Sequence, residues 1–269
     1  MFIECPAARL SGQGMGAFYL VFEPQQAVRA RTVARLESSY QAQGFDAPQR
    51  LELPRLSLGF YGKIAGARPQ FAQGERGRFA GLCGTAIVDG MIGADAARRL
   101  LAREGVDPPD WSTLMGSFCA VSGDADAQRL YLDPLGVHKV YTDRKQRVFA
   151  SSFLALANTL DSLTPNPQAV YEYVHQEATY GRDTVLNEVL QANCQGCYEF
   201  GDDVVFRPWP GDWRAAIDDA PMGEHLERCL HRLRVVFAAM RECFDDRIDT
   251  ALSGGYDSRL TLALLREQG

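Results

Sequence analysis

The sequence predicts an α+β protein in which a strand-rich first part precedes the opening unit of an α/β sheet. Through the first 206 residues, short apolar runs alternate with Gly, Asp and Pro, which is typical of stacked or sandwiched sheets. After residue 222, apolar residues recur at helical spacing. A strand, a glycine turn and a helix are then predicted in succession over residues 247–269.

Local patterns place the elements of the first part. Residues 15–24, MGAFYLVFEP, alternate and are aromatic, which favours a strand, and residues 28–44 contain good helix formers that end on a glycine. Further strands are predicted for RLSLGFYG, AGLCGTAIVDG, GSFCAVSGD, RLYLDPLGV and RVFASSF. Two more helices are predicted: DAARRLLAREG, ended by Gly105, and NPQAVYEYVHQEA, with Asn166 as N-cap and Pro167 in the first turn.

A change of composition divides the chain into two domains. Residues 207–221 contain three prolines and three acids, which indicates a linker. The first domain therefore comprises residues 1–206, and a second domain begins with residues 222–269. A long helix is predicted at its start from the spacing of Leu226, Cys229, Leu230, Leu233, Phe237, Met240 and Phe244.

Composition limits the classes of partner. Apolar residues make up 46% of the 269 residues, which is enough for a packed core. The net charge of −6 gives no electrostatic basis for binding nucleic acid or an anionic membrane, and we expect neither partner. The chain has no apolar run of about 18 residues, and its first residues, MFIECPAARL, are not expected to act as a secretory signal. Seven scattered cysteines favour reduced thiols, and hence a cytoplasmic protein.

Residues 253–258, SGGYDS, have the chemistry of a phosphate-binding loop. Gly254 and Gly255 would let backbone N–H groups approach an anion, and the start of the next helix adds a positive dipole end. Ser253 and Ser258 can donate hydroxyl hydrogen bonds to phosphate oxygens. Asp257 could cap the helix or bind Mg²⁺. An ordinary Ser/Gly turn is the alternative, and the chain contains no Walker sequence.

This loop resembles the S-G-G-x-D-S pyrophosphate loop of the N-type ATP pyrophosphatases. Upstream, YLDPLGVHKVYTDRKQRVFASSFLAL resembles the segment of asparagine synthetases that reads R-D-x-L-G-V-K-P-L-Y followed by F-A-S-E-x-K-A-L. The segments LMGSFCAVSGD, GRDTVLNEVLQANCQGCYEF, GADAARRLLAREG and PRLSLG resemble other parts of that family in the same order. The resemblance to the asparagine synthetase family extends from about Arg55 to Gly269.

The resemblance implies an N-terminal-nucleophile hydrolase-like αββα sandwich, followed by the first strand and helices of an α/β ATP pyrophosphatase domain. It implies an ATP-dependent, AMP-forming amide ligase that adenylates a carboxylate, aspartate by family default. Ser253, Gly254, Gly255, Asp257 and Ser258 would bind ATP, with Mg²⁺ on Asp257, and Arg55 and Asp95 would be remnants of a glutamine site. The substrates would be ATP and a small carboxylate or peptide, and a homodimer is compatible with the family.

The first domain departs from the family at its nucleophile. The family uses a chain-terminal cysteine whose own α-amine is the base, whereas position 2 here is Phe2. Cys5 is the nearest thiol, and it would require removal of a four-residue leader. Ala97 replaces the family's glutamate, and the glutamine-binding segment N-G-E-I-Y-N is present only as GTAIVDG. We therefore expect glutaminase activity to be lost and the amine to come from ammonia or from the substrate.

The second domain of the family contains more strands and helices than follow residue 222 here. We therefore interpret the sequence as a truncated or split ligase and expect no synthetase turnover from these 269 residues alone. One alternative function is a β-lactam synthetase or lasso-peptide cyclase. Another is a non-catalytic scaffold module.

The remaining cysteines and histidines give weaker signals. Cys194 and Cys197, with His225 and Cys229, could form a zinc site, but a structural role is favoured because only one C-x-x-C occurs. His138 and His175 have no Ser or Cys partner at a recognisable spacing, so surface or packing roles are predicted. Three cysteines in apolar runs are expected to act as small buried hydrophobes: Cys83, Cys119 and Cys243.

Overall fold

The computed structural model describes residues 16–62, 70–103, 111, 113–209, 220–244 and 248–269. Phe2 and Cys5 lie outside the described residues, as does most of the predicted linker. Numbered in chain order, twelve strands and six α-helices are found in the described residues.

Six strands form the first antiparallel sheet, in the spatial order β10-β8-β9-β1-β3-β2. Their bounds are β1 Ala17–Phe22, β2 Gln49–Glu52, β3 Leu56–Tyr61, β8 Tyr141–Asp143, β9 Val148–Ala150 and β10 Val189–Gln191. The other six strands form a second antiparallel sheet, in the order β12-β11-β7-β6-β5-β4. Their bounds are β4 Gln70–Gln73, β5 Phe79–Val88, β6 Leu114–Gly123, β7 Gln128–Leu132, β11 Gly196–Phe200 and β12 Val204–Pro208.

The two sheets pack face to face. Because side chains of a strand alternate between its faces, every second residue of β1 can enter the space between the sheets. Phe18, Leu20 and Phe22 of β1 share one apolar cluster with Val121 of β6 and Tyr198 of β11, and all five are buried. This central cluster therefore contains residues of both sheets.

Helices cover the outer faces of both sheets. On the first sheet, the alternate residues Tyr19 and Val21 of β1 pack with Leu36 and Tyr40 of α1 (Gln26–Ala42) and with residues of α3 (Phe153–Ala157). On the second sheet, Ala96, Ala97 and Leu100 of α2 (Gly93–Ala102) pack against β5 and β6. The order of layers is helix, sheet, sheet, helix, which is the predicted αββα sandwich.

One more helix lies in the segment between β9 and β10, and β12 is the last strand before the second region. The remaining helix of the first domain is α4 (Pro167–Gln176), and Asn166 caps it as predicted, with its Oδ1 accepting a bond from the Ala169 N–H at 3.3 Å. Strand β12 continues to Pro208, so the first two residues of the predicted linker pair with β11.

The second region contains two described helices, α5 (Met222–Phe244) and α6 (Tyr256–Glu267). The Arg234 guanidinium joins them by contacting the Glu267 carboxylate, with Nη2 2.8 Å from Oε1. Every residue of α5 is at least partly exposed, and Leu264 is the buried residue of α6. Among the residues described, no helix combines the length and apolar character needed to cross a membrane.

Candidate functional site

The loop of residues 253–258 is closed by its two serines. The Ser253 and Ser258 hydroxyl oxygens lie 3.0 Å apart. The Ser253 N–H donates to the Ser258 Oγ at 3.1 Å, and the Gly255 N–H donates to the Ser253 Oγ at 3.2 Å. The Ser258 hydroxyl is also within 3.0 Å of the Ser253 carbonyl. The structure therefore brings both predicted serine ligands to one point at the start of α6.

The predicted strand before this loop is not found. Residues 248–252, which belong to the strand expected to run from residue 247 into the glycine turn, have no strand pairing in the described structure. A single parallel strand is stabilised only by neighbouring strands, and its local sequence cannot supply them. The predicted helix after the loop does form, so the loop enters α6 from extended but unpaired backbone.

Gly255 is the N-cap of α6, and Asp257 lies in its first turn. Asp257 is therefore not the capping residue, and its exposed carboxylate remains available for a cation, as magnesium coordination would require. A Cβ at Gly254 would meet nothing within 4 Å, and at Gly255 it would meet the Ser253 Oγ at 3.3 Å. A Cβ would thus have open space at Gly254 and a close neighbour at Gly255, whose N–H already donates to the Ser253 Oγ.

Arg259 is a loop residue that the sequence analysis missed. Its Nε donates to the Gly255 carbonyl and its Nη2 to the Gly254 carbonyl, both at 3.3 Å. Its guanidinium carbon also lies 4.7 Å from the centre of the Tyr256 ring. A basic side chain four residues after the N-cap glycine is the signal that could have identified it. Arg259 adds a positive charge to a loop expected to bind an anion.

The two predicted glutamine-site remnants lie at opposite ends of the sandwich. Arg55 precedes β3 and contacts Asp202 in the β11–β12 turn, with Nη1 2.8 Å from Oδ1. Strand register places that turn beside Phe79, at the start of β5. Asp95 lies in the first turn of α2, beyond the end of β5, and pairs with Arg98. Since β5 has ten residues, its ends are separated by roughly 30 Å.

Two cysteines and a histidine that are distant in sequence meet in the interior. Within the described residues, the group able to hold a metal ion is Cys83, Cys119 and His138. His138 is buried, which agrees with the packing role predicted for it, and it has two cysteine neighbours that no sequence spacing indicated. Cys83 and Cys119 are buried, as predicted.

The alternative zinc set does not assemble in the described residues. Cys197 packs on the α2 side of the second sheet, whereas Cys194 packs against the central cluster. The two thiols therefore lie on opposite faces of the sheet. His225 and Cys229 are on the separate helix α5, where the His225 ring contacts Arg228.

Two solved structures are similar to this chain. One is glutamine phosphoribosylpyrophosphate amidotransferase from B. subtilis complexed with ADP and GMP, with 10% identity over 73% of this chain and 50% of that chain and a TM-score of 0.41. The other is described as the allosteric regulatory enzyme of purine biosynthesis, with 10% identity over 73% of this chain and 49% of that chain and a TM-score of 0.40. This chain spans about half the length of each. No protein-family model matches the sequence, and no curated protein matches significantly.

Proposed function

We propose that this protein is an ATP-dependent, AMP-forming amide ligase of the asparagine synthetase type, in which residues 253–258 hold the pyrophosphate of ATP. The observation that carries the proposal is the SGGYDS loop itself: two converging serine hydroxyls and two exposed glycines at the start of a helix. Hydroxyl and backbone N–H donors at a helix N-terminus suit a phosphate group, because each donates a hydrogen bond to an anion.

The layers of the first domain also support this function. An αββα sandwich is what the resemblance implied for the domain before the loop, and the order of helices and sheets agrees with it. Around the loop, Leu252 and Leu260 are exposed, with 62% and 47% of their surfaces accessible. The expectation of further strands and helices in the complete enzyme stays a prediction.

The chemistry assigned to the loop is stabilisation of the leaving group. The carboxylate of the substrate attacks the α-phosphorus of ATP, the bond to the β-phosphate oxygen breaks, and an acyl-adenylate and pyrophosphate form. An amine then displaces AMP from the acyl group. The donors of Ser253, Gly254, Gly255 and Ser258, with the charge of Arg259, would hold the pyrophosphate during the first step. Asp257 is the carboxylate suited to Mg²⁺, which would neutralise phosphate charge.

Binding of Mg-pyrophosphate and Mg-ATP tests this assignment. Isothermal titration calorimetry of the chain should give a weaker affinity when Ser253, Asp257 and Ser258 are all changed to alanine. We expect Kd to rise at least about tenfold, because a single hydrogen bond to a charged group contributes about 1.5–3 kcal/mol.

Ser162→Ala is the matched control, since Ser162 is an exposed serine in the segment between α3 and α4. It should bind both ligands as the parent does. The three loop residues are themselves exposed or half-buried and outside the apolar clusters, so circular dichroism should report an unchanged fold. Equal affinity in the triple variant and the parent would refute the proposed role of the loop.

A further inference from the structure

Strand pairing in the second sheet places two thiols beside each other. Cys83 of β5 is the direct register partner of Cys119 of β6, and both side chains belong to the central cluster between the sheets. Their exposed fractions are 2% and 0%. Two cysteines at this depth are close enough to act together, because opposite residues of antiparallel strands have Cβ atoms about 4.5–5.5 Å apart.

His138 completes the group from another part of the chain. It lies on the segment that leads from β7 in the second sheet to β8 in the first, and its exposed fraction is 3%. The two sulfur atoms and a ring nitrogen of His138 all lie within 4.8 Å of one another. Tetrahedral zinc with these ligands would place them roughly 3.5–3.8 Å apart, so shifts of an ångström or less create the coordination geometry.

We propose that Cys83, Cys119 and His138 form a buried site for a thiophilic divalent metal ion, with zinc as the ion that the ligands fit best. Two thiolates and one imidazole are a donor set that zinc uses with a fourth position left for water or another ligand. The site is separate from the loop of residues 253–258 and does not depend on the proposed ligase activity.

Charge favours an ion at this position. Cysteine binds a metal ion as the thiolate, so an ion entering this group displaces the protons of the two thiols. A divalent ion with two thiolates is then neutral, which reduces the cost of burying the charges.

The surrounding backbone holds the histidine in place. The buried Asp133 carboxylate accepts the backbone N–H groups of Val137 and His138, with N···O distances of 3.0 and 2.9 Å. A Cβ at Gly84 would lie 2.9 Å from His138 Nδ1, so the ring packs closely against β5. These contacts fix the backbone of the His138 segment and the position of its ring against β5.

A cavity reaches one member of the group. It has a volume of about 320 Å³ and is lined by His138 together with residues of the 181–182 and 191–194 segments. His138 therefore borders both the cavity and the two buried thiols, and it is the side of the group from which an entering ion has the shortest way through the protein.

Metal analysis and cobalt spectroscopy test the proposal on the intact chain. Protein purified under reducing conditions, stripped with a chelator and titrated with Zn²⁺ should bind about one ion per chain with matching protection of two thiols from a thiol reagent. Titration with Co²⁺ should produce thiolate-to-cobalt charge-transfer absorption. The binding of one Zn²⁺ per chain and the cobalt charge-transfer band should both be lost in Cys83→Ala and in Cys119→Ala. His138→Ala should weaken Co²⁺ binding by at least about tenfold.

Cys197→Ala is the matched control, because Cys197 is equally buried in the second sheet but lies on its other face. It should keep the full metal content and the cobalt spectrum. If the cysteine variants do not fold, the cobalt titration and thiol protection of the unaltered chain still decide the question. The proposal is overturned if that chain gives no thiolate-to-cobalt band, or if its Cys83 and Cys119 are found joined as a disulfide by mass spectrometry.

Discussion

Among single residues, Gly84 has the tightest steric requirement near the buried thiols. Its φ is +91°, in the left-handed half of conformational space that favours glycine. A Cβ there would lie 2.3 Å from the Ser117 carbonyl oxygen and 2.9 Å from His138 Nδ1. Only a glycine lets β5 pass this close to both β6 and the histidine.

Changing Gly84 to alanine should therefore lower the free energy of unfolding by about 3 kcal/mol or more, since strained backbone and overpacking each cost about 1–3 kcal/mol. Urea denaturation followed by tryptophan fluorescence measures this. Gly77→Ala is the control, because Gly77 has a φ of +72° but nothing within 4 Å of its Cβ position. It should cost about 1 kcal/mol, the strain alone. Equal losses in the two variants would mean that the clash at Gly84 is relieved by movement of its neighbours.

The two candidate sites differ in how far the sequence could predict them. Residues 253–258 are contiguous, so their order of Ser, Gly and Asp carries the chemistry by itself. Cys83, Cys119 and His138 are distant in sequence and meet through strand register and a loop between two sheets. A sequence pattern at fixed spacing cannot detect such a group, and apolar flanks correctly predicted only that the cysteines are buried.

Among helices and strands, local signals predicted the elements whose stability is local. Asn166 and Pro167 start α4 as expected, and α1 differs from its predicted bounds by two residues at each end. The prediction of a strand from residue 247 to the glycine turn was wrong, because pairing with neighbouring strands, not local sequence, decides whether such a segment becomes a strand. The short strands β2, β4 and β8 were missed for the same reason, since they are defined by their neighbours in the sheets.

Ala97 of α2 stands where the asparagine synthetase pattern has a glutamate, and a substitution tests whether the packing of this helix can accept one. Ala97 is 0% exposed and faces the second sheet, so a glutamate there would be buried among apolar side chains. We expect Ala97→Glu to lower the free energy of unfolding by at least about 3 kcal/mol, because an unpaired carboxylate loses its hydration. Ala102→Glu, at an exposed position of the same helix, should change it by no more than about 0.5 kcal/mol. A tolerated Ala97→Glu would mean that this face of α2 opens to water.

Taken as one molecule, the protein has the layers of an αββα sandwich, but Arg55 and Asp95, the two residues predicted to be remnants of a glutamine site, lie at opposite ends of it. The evenly spaced short apolar runs were enough to predict stacked sheets, and the helices on each outside follow from their apolar sides. Which end of the sandwich each polar residue occupies depends on connections between strands, and those were not predictable. Arg55 and Asp95 both match the asparagine synthetase pattern in sequence order, yet the structure places them near opposite ends of β5.

We therefore expect the chain to release no glutamate from glutamine above the uncatalysed rate. A coupled glutamate dehydrogenase assay on the purified chain, beside Cys5→Ala and Cys194→Ala, measures the activity. All three proteins should give the same background. Glutamate release that is abolished in Cys5→Ala and retained in Cys194→Ala would show that a processed Cys5 is the nucleophile, and that a glutamine site exists elsewhere than between Arg55 and Asp95.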